Sequence, residues 1–212
     1  MTTAQIPTGM KIRQLTPKFQ YSIIALLLLS VFSVRALTQD SHSHGQTPAN
    51  LSTTQDLKGK ASELIRIVRE STDRFQNSAD AERAGYVLTF GCVSGPDSGA
   101  MGLHFVNSDL LGKNVVDPTA PPIVIYEAQP DGRLKLIGAD FLVFAAPWDK
   151  AHPGNPPELM GQLFHYFESP NRFGLDAFYT LHVWAWKDNP NGAFVNWHPN
   201  VSCQNFTGTT TQ

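Results

Sequence analysis

The sequence predicts an α+β fold: an N-terminal amphipathic helix packed on a curved antiparallel sheet, with a small β-barrel as the alternative. Two patterns carry this reading. Between residues 57 and 75, Leu57, Ala61, Leu64, Ile65, Val68 and Phe75 recur at about 3.6 residues, with charged residues around the other side. Further along, residues 86–93, 123–128, 133–145, 162–168 and 177–187 are extended patterns, five or six strands in all. The run at 177–187 is apolar on both faces until Lys187, so both faces are expected to be covered.

In chain order, residues 1–36 read as a signal peptide. Lys11, Arg13 and Lys18 precede an apolar run at 21–34, and Val34-Arg35-Ala36 offers a cleavage site. That run is short for the roughly 20 residues needed to span a bilayer. A retained N-terminal anchor is the competing reading, and it is the only membrane contact expected. The mature protein is then exported, periplasmic or extracellular. Residues 37–55 are a flexible polar linker whose His42 and His44 are a weak Cu or Zn pair or simply solvated. Residues 56–206 form one domain, and residues 207–212 a disordered tail.

Within the domain, Ser78 is the expected N-cap of a short second helix stopped by Gly85. The glycine-rich segment 94–102 reads as a wide turn, since it lacks the spacing of a phosphate-binding loop. Gln129-Pro-Asp-Gly132 suits a tight reversal joining two antiparallel strands. Residues 146–161, with four prolines, are expected to be irregular. Lys and Arg number 16 against 18 Asp and Glu, with no cationic cluster, which argues against a nucleic-acid partner.

Outside the cytoplasm, Cys92 and Cys203 most simply pair as a disulfide; free thiols and metal ligation are the alternatives. Strand parity then selects candidate site residues. His104 shares its face with Val106, His165 with Phe167, and His182 with Trp184 and Trp186; Glu127 alternates with Ile123 and Ile125, and Asp140 with Leu136 and Leu142. Ionisable groups on apolar faces need a partner. Converging, His104, His182, Glu127 and His165 would form a metal site for Zn, Fe, Mn or Cu, with Trp184, Trp186 and Asp140 as ligand-binding neighbours. The partner is thus a metal ion or small molecule. Whether the site catalyses anything stays open. The competing reading is a non-enzymatic envelope protein in which each His is a satisfied core residue. His152 and His198, each before a proline, are expected to be exposed and are left out.

The motifs AGY at 84–86, CVSGP at 92–96, GAMGLHFVN at 99–107, LHVWAWK at 181–187 and VSC at 201–203 resemble those of a family of exported bacterial proteins of unknown function. The resemblance covers residues 79–203. It implies a single exported domain and transfers no catalytic residue.

Overall fold

The computed structural model describes residues 48–212. The expected signal peptide, the His42 and His44 pair and most of the expected linker lie outside the described residues. Helix α1 (Pro48–Thr72) begins inside the segment read as linker. Its polar N-terminal turns follow Pro48, a residue well suited to the first turn of a helix. Its apolar stripe does what the spacing predicts. Leu64 and Val68 are fully buried in a cluster with Ala139, Phe141, Leu181 and Val183 of the sheet. Thr72 Oγ1 receives the indole N–H of Trp186 at 2.9 Å, and Arg69 donates to the carbonyl of Ala185. On the outer face, Arg66 pairs with Glu63 and Glu70, contacts of small energetic weight at this exposure. A 3-10 turn then buries Phe75. Helix α2 (Ser78–Arg83) is capped by Asn77, whose carboxamide oxygen accepts from Ala79 N, and not by Ser78.

Seven strands make one curled sheet: β1 (Tyr86–Gly95), β2 (Gly99–Asn107), β3 (Ile123–Ala128), β4 (Leu134–Phe144), β7 (His165–Phe167), β8 (Phe178–Val183) and β9 (Thr210–Thr211). Their order is β7-β8-β4-β3-β2-β1-β9, an open sheet and not a closed barrel. The expected all-antiparallel sheet is corrected in one place: β9 pairs parallel with Cys92 and Val93 of β1. The two residues of β9, Thr210 and Thr211, lie in the tail expected to be disordered. The edge of β1 offers unpaired backbone groups, and Cys92 N donates to Thr209 O while Thr211 Oγ1 donates to Phe90 O.

Two further boundaries moved. The glycine segment 94–102 is a tight hairpin, with Gly95 opposite Gly99, and not a wide loop. The proline-rich stretch holds a short helix α4 (Ala145–Ala151), with α3 (Ser108–Leu111) earlier in the chain, and a two-residue ribbon of β5 (Glu158–Leu159) and β6 (Gln162–Leu163). Pro147 falls in the first turn of α4, where its missing N–H costs nothing.

The two faces of the sheet bury different material. One face, with Phe105, Val124, Tyr126, Phe141 and Leu181, packs on α1, the 3-10 turn and α2. The other, with Val106, Ile123, Ile125, Leu142 and Phe178, is covered by Trp184, Val201 and the aromatic segment around Phe173. Cys92 and Cys203 form a disulfide that ties the C-terminal return to β1. No helix among the described residues is long and apolar enough to cross a membrane.

Candidate metal centre

His104 on β2, Asp140 on β4 and His182 on β8 converge on the second face. Asp140 lies directly opposite His182 in the β4/β8 ladder, and opposite Ile123 in β3/β4. His104 lies opposite Ile125 in β2/β3. His104 and His182 are therefore three strands apart, roughly 14 Å on a flat sheet. Their Nε2 atoms nonetheless approach to 3.3 Å. The curl of the sheet closes that gap, which makes this the concave face.

All three side chains are buried, at 4%, 3% and 2% exposure, and each offers a donor atom within 4.8 Å of the others. The group can hold a metal ion. Beside it is a cavity of ≈ 20 Å³, enough for one water-sized occupant, walled by Phe90, Phe167, Phe173 and Phe178.

The hydrogen bonds constrain where the protons sit. His104 Nδ1 lies 3.2 Å from the carbonyl oxygen of Gly102, which can only accept, so Nδ1 carries the proton and Nε2 a lone pair. Asp140 Oδ1 accepts from Thr180 Oγ1 at 2.5 Å. His182 Nδ1 is 3.6 Å from the same oxygen, too far for a hydrogen bond, and is buried without a partner. A proton on His182 Nδ1 faces it toward the carboxylate but sets two Nε2 lone pairs against each other. A proton on Nε2 satisfies His104 and instead aims the Nδ1 lone pair at the carboxylate oxygen. Either neutral tautomer leaves one repulsion.

Electrostatics favour neutral imidazoles. Burial pushes His104 down to about 4, helped by the neighbouring His182. Burial also pushes His182 down to about 3, against a side-chain contact with Asn196 that works the other way. Asp140 is pushed up to about 6 by burial, despite the attraction of His104 and the donors Thr180 Oγ1, Leu181 N and Phe141 N. At neutral pH the cluster is two bare imidazoles and one carboxylate.

Gly102 is part of the construction. Its φ is +93°, and a Cβ there would stand 2.7 Å from the carbonyl oxygen of Tyr126. Gly102→Ala is expected to destabilise by about 2–4 kcal/mol, read from urea unfolding, because strain and a backbone clash add.

Of the residues selected by parity, the structure joins His104, His182 and Asp140, with Trp184 stacked 5.9 Å from the His182 ring. Glu127 keeps its predicted face but lies further along β3 and is not in the group; both its oxygens accept from Lys187 Nζ, at 2.7 and 2.9 Å. His165 is exposed on the edge strand, 3.4 Å from Phe194 O. Trp186 is on the helix side. β8 stops at Val183, where Ala185 N–H closes a three-residue turn onto Val183 O, and the turn reverses the alternation. Leu136 likewise leaves the Asp140 face, because a bulge opposite Ile125 and Tyr126 adds a residue to β4.

Two residues were missed. Thr180, two positions before His182, shares its face and supplies the donor to Asp140; the same parity identifies it. His198, expected exposed, is fully buried, its Nε2 on Asp188 O and its Nδ1 accepting from Asn200 N, each at 3.1 Å. It is a satisfied core histidine in a loop, and no local pattern marks it.

Comparison of the chain with protein-family models, with curated proteins and with solved structures gave no match.

Proposed function

We propose that this is an exported metalloprotein that holds one first-row transition-metal ion between His104, His182 and Asp140, with an open position toward the phenylalanine-walled cavity. The observation that carries the reading is the 3.3 Å approach of the two Nε2 atoms. Two imidazoles bound tetrahedrally to one ion at about 2.0–2.1 Å place their nitrogens roughly 3.3 Å apart. A cation there resolves the lone-pair conflict. It frees His182 Nδ1 to carry its proton toward Asp140, and Gly102 O orients the other ring, as outer-shell acceptors commonly do. Two nitrogens and one carboxylate suit Zn, Fe, Mn or Cu, and the open position leaves room for a small ligand. The disulfide and the expected signal peptide support export.

The alternative, a structural polar network in an envelope protein, draws on the donors that Asp140 already has and on the Gly102 contact. It leaves the two Nε2 lone pairs facing each other whenever His182 Nδ1 carries its proton toward Asp140 or Asn196.

Metal-stripped protein titrated with Zn(II), and with Co(II) for its visible spectrum, tests the reading. One equivalent should bind, and His104→Gln and His182→Gln should each weaken binding by about 100-fold or more, since both remove a direct ligand where even an outer-shell loss costs 10–100-fold. No binding by the wild type, or binding by either variant as tight as the wild type's, sinks it.

A further inference from the structure

Outside the cluster, one orphaned atom stands out. Asn196 Oδ1 is buried without a hydrogen-bond partner, and among the described residues it shares that condition only with His182 Nδ1. The two side chains are in contact. Asn196 is also held in place. The indole N–H of Trp184 donates to Val195 O at 2.6 Å on one side, and Asn189 Nδ2 donates to Trp197 O at 2.9 Å on the other. A segment pinned on both flanks aims one unsatisfied oxygen at the inner histidine.

The other side of Asn196 faces outward. It lines a surface cleft of ≈ 460 Å³ together with Asp97, Ser98, His165, Asn191 and Trp197. His165 is exposed there and lies opposite Thr180 in the β7/β8 ladder, two residues from His182. The cleft is thus lined by oxygen and imidazole donors, and one of them, the Asn196 carboxamide, also reaches His182 of the buried cluster.

We infer that this cleft is the entrance by which a hydrated divalent transition-metal ion reaches the buried cluster, with His165 as the outer stepping point and Asn196 as the inner one. The inference rests on the metal reading above. A dry cluster walled by phenylalanines cannot be loaded through its apolar side, because an ion losing its water there finds no replacement donors. Through the cleft, each water can be exchanged for a protein donor in turn. His165 is then a positioning residue that acts on the path and is not a ligand in the final state.

Stopped-flow uptake of Zn(II) by metal-stripped protein, and its release to a chelator, distinguishes path from destination. His165→Ala should slow uptake and release alike by about tenfold while the equilibrium affinity stays within about twofold, since a cleft that concentrates ions changes rates and not end states. His152→Ala, which removes another exposed histidine, should change neither rate. Unchanged rates in His165→Ala overturn the entrance while leaving the inner site standing. A loss of affinity through faster release alone also overturns it, by making His165 a ligand. A wild type that takes up no Zn(II) fails the inner site and the entrance together.

Discussion

Replacing both Cys92 and Cys203 by alanine is expected to cost about 4–5 kcal/mol of stability, because the bridge closes a very long loop in the unfolded chain. The two residues are 111 positions apart. Little else covalent or periodic holds the C-terminal return: beyond β8 the described chain has only the Ala100–His198 bridge and the two residues of β9 as extended pairing. Cys92 is 2% exposed and packs with Phe105 and Tyr126, and Cys203 adds to the same cluster and to the one on the concave face. The return carries Asn196, which contacts His182, His198, which packs on Trp184, and Val201 of the concave-face cluster beside the candidate metal centre. Loss of the bridge should therefore loosen the site as well as the fold. Urea unfolding of the wild type with and without reductant, beside the double variant, measures the first effect. Zn(II) titration of the folded variant measures the second. A change in stability below about 1 kcal/mol would show that non-covalent contacts alone hold the return, contrary to the loop-entropy argument.

The second large effect is on pH dependence, and its sign follows from three buried groups. His104 and His182 are held below their unfolded value of 6.5, near 4 and 3. The unfolded chain therefore binds their protons first, and stability is lost as pH falls from 6.5 toward those values. Asp140 is held above its unfolded value of 3.8, near 6. Its ionisation penalises the fold at neutral pH, and that penalty lifts as pH falls from 6 to 3.8. Two imidazoles outweigh one carboxyl, so the metal-stripped protein should lose stability between pH 6.5 and 4. Asp140→Asn removes the opposing contribution. Its acid loss should be steeper, and at pH 7 the metal-stripped variant should be more stable than the wild type by of order 1–3 kcal/mol. With its oxygen at the place of Oδ1, the new carboxamide keeps an acceptor for Thr180. Zn(II) affinity should meanwhile fall. A group whose removal stabilises the fold and abolishes binding marks a functional site. Urea midpoints at pH 7, 6 and 5 decide the matter. Destabilisation by Asp140→Asn at pH 7 would make the carboxylate a structural partner and favour the envelope-scaffold alternative.

Alternation read the strands well where they are regular. His104 with Val106, His182 with Trp184 and Asp140 with Leu142 all share the face that parity assigns them. It failed where the backbone inserts or turns. The bulge in β4 sent Leu136 to the helix side, and the turn after Val183 did the same to Trp186. Neither irregularity has a local signature, since both are settled by the neighbouring strand. Glu127 shows a different limit. It has the correct face, yet parity says nothing of distance along a strand, and Lys187 meets it there instead. His198 sits in a segment without any period, so its burial follows from tertiary contacts: the backbone bridge to Ala100, the carbonyl of Asp188 and the Trp184 ring.

Local order is written in the chain itself. The helical stripe of Leu64 and Val68, the hairpin at 129–132 and the double-sided strands follow from side-chain period and turn chemistry, which act over a few residues. The pairing of Cys92 with Cys203 was expected from their number and compartment, and the structure forms it. Tertiary structure alone decided which polar groups meet. Nothing within a strand states how far the sheet curls, and it is the curl that turns a three-strand separation into a 3.3 Å contact between His104 and His182.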